Sequence, residues 1–99
     1  MRPFFHPAAD SLDLPRVLHA LSDPARLDMV RRIAAAGELT CGALGEERPK
    51  SSMSHHFRVL REAGVIRTRI AGAVHLTALR TQDLEARFPG LLAAVLGAG

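Results

Sequence analysis

The chain has 99 residues, enough for one domain and too few for a second hydrophobic core. Hydrophobic residues make up 47% and aromatics only 4%, so the core must be aliphatic; a formal charge of +3, with 12 of the 13 basic residues arginine, is too small to name a partner by itself. A single cysteine excludes an intramolecular disulfide, and no apolar run approaches a signal peptide or the roughly 20 residues of a membrane span, so a cytoplasmic protein is expected.

Residues 1–12 read as an aperiodic arm with Pro3 and Pro7; it carries Phe4 and Phe5 and is expected to dock on something apolar, in its own subunit or a partner. Residues 13–99 are expected to form the domain. Asp13 is a candidate N-cap for a short helix with Val17, Leu18 and Leu21 inward, and Pro15 is tolerated in its first turn. Asp23-Pro24 repeats the device for a second helix over about 24–36, with Leu27, Val30, Ile33 and Ala34 on one stripe and Gly37 as its stop. Thr40 caps a third helix of about 41–47, and Glu46-Glu47-Arg48-Pro49 forms the turn after it.

The stretch from Lys50 to Gly64 is the most informative in the chain. At 100° per residue, Met53, Phe57, Leu60 and Ala63 share one side of a helix, while Ser51, Ser54, His55 and Arg58 share the other. Ser51 or Ser52 can cap its start, and Gly64 ends it. Short hydroxyls with one imidazole and one guanidinium allow the close approach and the donors that a DNA major groove requires. Two short helices joined by a polar turn, the second presenting such a face, make a helix-turn-helix. The period then changes from 3.6 to 2. Ile66, Thr68 and Ile70 alternate with Arg67 and Arg69, Ala71-Gly72-Ala73 turns, and Val74 to Leu79 returns as a second strand. A basic hairpin directly after a recognition helix is a wing. Five bases and one acid, Glu62, fall between Lys50 and Arg69, as an electrostatic footprint on DNA should.

Thr81 starts a last helical stretch that Pro89 should break; the restarted piece carries Leu91, Leu92, Val95 and Leu96 and no charge. A domain this small offers little core to such a helix, so a dimer interface with Val17 and Leu18 of the first helix is expected. The resulting fold class is mostly α with a small β-hairpin, in the order α-α-α-α-β-β-α.

Three segments then carry a resemblance: Ala20-Leu21-Ser22-Asp23-Pro24-Ala25-Arg26-Leu27, Gly37-Glu38-Leu39-Thr40-Cys41, and Ser54-His55-His56-Phe57-Arg58-Val59-Leu60-Arg61-Glu62-Ala63-Gly64-Val65-Ile66. In this order they resemble the ArsR/SmtB family of winged-helix repressors, over about residues 14–96. The resemblance implies a homodimer on an imperfect palindrome of double-stranded DNA that departs when an inducer binds. Carried over residue by residue, it implies DNA contacts at Ser51, Ser52, Ser54, His55 and Arg58, to which the charge distribution adds Lys50, Arg67 and Arg69. Both ligand positions of the family's Glu-Leu-Cys-x-Cys metal pattern are lost here, since Cys41 occupies the spacer. The last helix has Asp83 and Glu85 but no His. No metal ligands and no cofactor are therefore expected, Cys41 is read as a small buried residue, and the inducer is unassigned. His56 is read as a packed, hydrogen-bonded residue and His55 as the DNA candidate. No Ser/Cys–His–acid spacing and no glycine-rich phosphate loop is present, so no catalytic residue is expected. The alternative function is a winged-helix interaction module or co-regulator without DNA binding of its own.

Overall fold

A computed structural model describes residues 4–45 and 49–97; the expected turn residues Glu46, Glu47 and Arg48, and the end of the expected third helix, lie outside them. The arm makes a short 3₁₀ turn at Ala9–Ser11 and leads into helix α1 (Leu14–Leu21) and helix α2 (Pro24–Ala36). Strand β1 (Leu39–Thr40) and helix α3 (Cys41–Leu44) follow, then helix α4 (Lys50–Ala63). Strands β2 (Ile66–Ala71) and β3 (Val74–Leu79) form the hairpin, and helices α5 (Thr81–Arg87) and α6 (Leu91–Gly97) follow it.

Local chemistry accounts for most of these boundaries. The Asp23 carboxylate accepts from the backbone N–H groups of Ala25 and Arg26 at 2.8 and 3.1 Å, satisfying two orphan donors of α2. Those bonds hold its pKa below the ordinary carboxylate value. Thr40 caps α3 through the Ala43 N–H at 3.1 Å. The break at Pro89 falls where expected, between α5 and α6. Asp13 precedes α1 but its side chain makes no capping bond.

The sheet has three antiparallel strands in the order β1-β3-β2 rather than the two expected. The two residues of β1 have no readable alternation; they become a strand because β3 offers Leu76 and Thr77 as partners. The core is one cluster that includes Val17, Met29, Val30, Ile33, Leu44, Leu60, Val65, Ile66 and Leu84. Each such aliphatic side chain contributes roughly 1.5–3 kcal/mol by leaving water.

Several inward assignments change. On α2 the buried set is Arg26, Met29, Val30 and Ile33, so the stripe is rotated and Ala34 is exposed. On α1, Val17, Ala20 and Leu21 are buried and Leu18 points outward, 47% exposed. Val17 and Leu92, expected at a subunit interface, are already 0% and 5% exposed within the single chain, so a partner has nothing left to cover there. Val17 is used up by the α1 core face, and α6 uses Leu92 to close the core.

The arm docks on its own chain. The Thr68 N–H, on the outer edge of β2, donates to His6 Nε2 at 3.0 Å. The Phe4 ring meets His75 edge-on at 5.0 Å between centroids, and the Arg61 guanidinium lies 4.6 Å over it. Arg80 donates to the Pro7 carbonyl at 2.7 Å, and Arg87 to the Leu12 carbonyl at 2.9 Å. Phe5 remains exposed.

Candidate nucleic-acid interface

Helix α4 is oriented from below. Met53, Phe57, Leu60 and Ala63 are buried, as the projection required. Gly64 ends the helix at φ 84°, ψ 17°, where its N–H returns to the Arg61 and Leu60 carbonyls. The start differs from expectation. The helix begins at Lys50 after extended Pro49, with no side-chain cap, so Ser51 and Ser52 lie inside the first turn.

That displacement leaves both hydroxyls available. Lys50, Ser51, Ser52, Ser54, His55 and Arg58 are all exposed, and among the described residues none of their side chains is tied up in an ion pair. Ser52 thus joins the outward set that the projection had denied it. His56 is turned inward: its Nδ1 accepts from Arg26 Nη1 at 3.3 Å, which leaves its proton on Nε2. Arg26, only 6% exposed, also donates through Nε to the Ala20 carbonyl at 2.7 Å and through Nη2 to the His19 carbonyl at 3.3 Å. From α2, one guanidinium therefore caps the C-terminus of α1 and braces α4. Sequence reasoning gave Arg26 no role; its one signal was its place just after the Asp23-Pro24 cap.

The wing presents Arg67 and Arg69 on the outer face of β2, 61% and 57% exposed, while Ile66 and Thr68 face the core. Ile70, expected beside them, is 40% exposed because the hairpin outruns the core toward its tip. Both arginines meet acids that were not anticipated. Arg69 grips Glu38 with two bonds of 3.0 and 3.1 Å, which raise its pKa above the ordinary arginine value. Arg67 lies 3.7 Å from Asp83, whose carboxylate is held more closely, at 3.0 Å, by buried Arg80. Exposed pairs of this kind contribute little and exchange readily for another anion.

The residues beside the family's metal patterns make structural contacts instead. Cys41 is half-buried with Sγ 3.5 Å from Thr77 Oγ1, which in turn meets Thr68 Oγ1 at 3.2 Å. Glu85 accepts from the Gly90 N–H at 3.2 Å. Among the described residues no group of three or more His, Cys, Asp or Glu side chains converges on a common point.

The family profile of a helix-turn-helix domain matches residues 21–69, which run from the end of α1 to the middle of β2. The uncharacterized HTH-type transcriptional regulator YceK of Bacillus subtilis (strain 168) is 38% identical over 80 residues, which span 78% of this chain and 80% of that protein. The crystal structure of the ArsR family transcriptional regulator RHA00566 superposes with a TM-score of 0.68 at 26% identity, covering 82% of this chain and 90% of that one. The chain belongs to the ArsR/SmtB-type winged helix-turn-helix regulators. The transcriptional repressor BigR from Xylella fastidiosa superposes with a TM-score of 0.63 at 26% identity, covering 87% of this chain and 88% of that one. As a member of the ArsR/SmtB type the protein is a DNA-binding transcriptional regulator, and no described helix is long and apolar enough to cross a membrane.

Proposed function

We propose that the protein is a cytoplasmic homodimeric repressor that reads an imperfect palindrome with two copies of α4 and leaves it when an inducer binds. The observation that carries this reading is the outward face of α4, where Lys50, Ser51, Ser52, Ser54, His55 and Arg58 are exposed and Glu62 is the only acid of the helix. Ser54, His55 and Arg58 meet base edges; Lys50, Ser51 and Ser52, at the first turn, and Arg67 and Arg69, on the wing, meet phosphates. Glu38 and Asp83 hold the wing arginines in place until phosphate oxygens replace them. Self-association is supported by Leu14 and Leu18, 41% and 47% exposed on α1, and by half-buried Leu91, Val95 and Leu96 on α6. The solved relative from Xylella fastidiosa is itself a repressor, which favours repression here.

The test is binding of Arg58→Ala to a selected operator and to random DNA. A loss of about 1–3 kcal/mol on the operator, with little change on random DNA, is expected. Equal losses on both would move Arg58 to the phosphate class. A wild-type chain with no preference between the two DNAs would favour the interaction-module reading.

A further inference from the structure

A cavity of about 440 Å³ lies between α3, the first half of α4, β3 and the docked arm. Its walls are apolar, formed by Phe4, Met53 and Phe57 together with the bare backbone of Gly42 and Gly45. Arg61, Lys50, Cys41, Ser54 and His75 complete its lining, and no carboxylate lines it among the described residues. Arg61 is the unusual member. Among the described residues it has no hydrogen-bond acceptor and no ion-pair partner, only the face of the Phe4 ring 4.6 Å away. Burial pushes its pKa below the ordinary arginine value, against smaller opposing contributions from Cys41 and Glu62. A half-buried cation beside an apolar cleft is an incomplete arrangement, since among the described residues no carboxylate bonds to it to offset its desolvation.

We infer that this cavity is a binding site for a small organic acid, an apolar body seated between Phe4, Met53 and Phe57 with its carboxylate on the fork of Arg61. The volume suits a ligand of the size commonly held in protein pockets. A planar guanidinium is the side chain that pairs a carboxylate through two parallel bonds. The site is joined to the DNA face, because Lys50 and Ser54 line the cavity and also stand on the outer side of α4. A bound acid adds a negative charge against the helix whose outer side meets phosphate, so acid and DNA oppose one another. Only this last consequence rests on the DNA-binding reading above.

The experiment is calorimetric titration of the full chain, without DNA, with benzoate and octanoate, using benzamide as the neutral control. Saturable binding of at least one acid is expected, with benzamide at least about tenfold weaker. Arg61→Met should weaken the acid about tenfold, Arg61→Lys less, and Phe4→Ala should weaken both acid and amide. No saturation by either acid up to about 10 mM, or equal binding by acid and amide, would overturn the site. So would an unchanged affinity in Arg61→Met. A second titration, of operator affinity at saturating acid, should show a loss; an unchanged operator affinity would overturn the antagonism while leaving the binding site standing.

Discussion

Replacing Arg26 by Met keeps most of the aliphatic stem and removes the guanidinium that joins α1, α2 and α4. Three contacts go with it: 2.7 Å to the Ala20 carbonyl, 3.3 Å to the His19 carbonyl and 3.3 Å to His56 Nδ1. The short charged bond is worth about 1.5–3 kcal/mol, and the two long ones roughly 0.5–1 kcal/mol each. Both carbonyls also sit at the negative end of α1, where a cation gains a few tenths more. The sum is about 3–5 kcal/mol, a large share of the roughly 5–15 kcal/mol that holds a domain of this size. Urea denaturation should show the midpoint falling with an unchanged slope, and thermal unfolding a drop of about 12–40 °C. Arg26→Lys should recover part of the loss by reaching the Ala20 carbonyl alone. A loss below about 1 kcal/mol in Arg26→Met would refute the argument, since water would then be serving those acceptors as well as arginine does.

Gly64→Ala should cost about 2–3 kcal/mol in the same urea experiment, because a left-handed residue acquires a β-carbon that overlaps the Leu12 side chain; a loss of only about 1 kcal/mol, the backbone strain alone, would show that the arm yields freely. His6 must be neutral to accept from Thr68, and burial, then Arg80, Arg61 and Arg67, place its pKa below 6.5. Arm docking should therefore be complete above that ordinary value and be lost as pH falls through the lower folded one. Amide exchange at Thr68 should follow the His6 titration seen by NMR, and a His6 midpoint at or above 6.5 would contradict the docking. Leu18→Asp changes a side chain already exposed, so the fold should persist while sedimentation shifts from dimer to monomer; a wild-type monomer at micromolar concentration would remove the proposed interface.

The elements that could be read from the sequence were those whose signals are local. Asp23-Pro24, Thr40, Gly64 and Pro89 act within one turn, and α2, α3, α4 and the α5–α6 break begin or end beside them. The inward face of α4 could be read because four apolar residues are spaced regularly over 14 residues. Over the eight residues of α1 the same projection could not separate Val17 from Leu18. Arg26 escaped because helical periodicity assigns arginine to water, whereas its partners are carbonyls of the preceding helix. The N-terminus of α4 was displaced because Pro49, fixed in an extended conformation, competed with two good serine caps. At the interface, the outward residues of α4 follow from one helix alone. The acids that hold the wing do not: Glu38 is 31 residues from Arg69 and reaches it only once β1 has paired with β3.

The strand synthesised last is the one in the middle of the sheet. A nascent chain that has emerged only as far as Gly72 carries β1 and β2 with no partner for either, and its recognition helix with nothing fixed beside it. Leu39 can find Thr77 and Thr40 can find Leu76 only after β3 has emerged, and β1 pairs with it across a far longer loop than β2 does. Vectorial synthesis thus delays the DNA-reading form until nearly the whole sheet sequence has left the ribosome, and a ribosome stalled before Val74 releases a chain with two bare strand edges, a substrate for chaperones rather than a regulator.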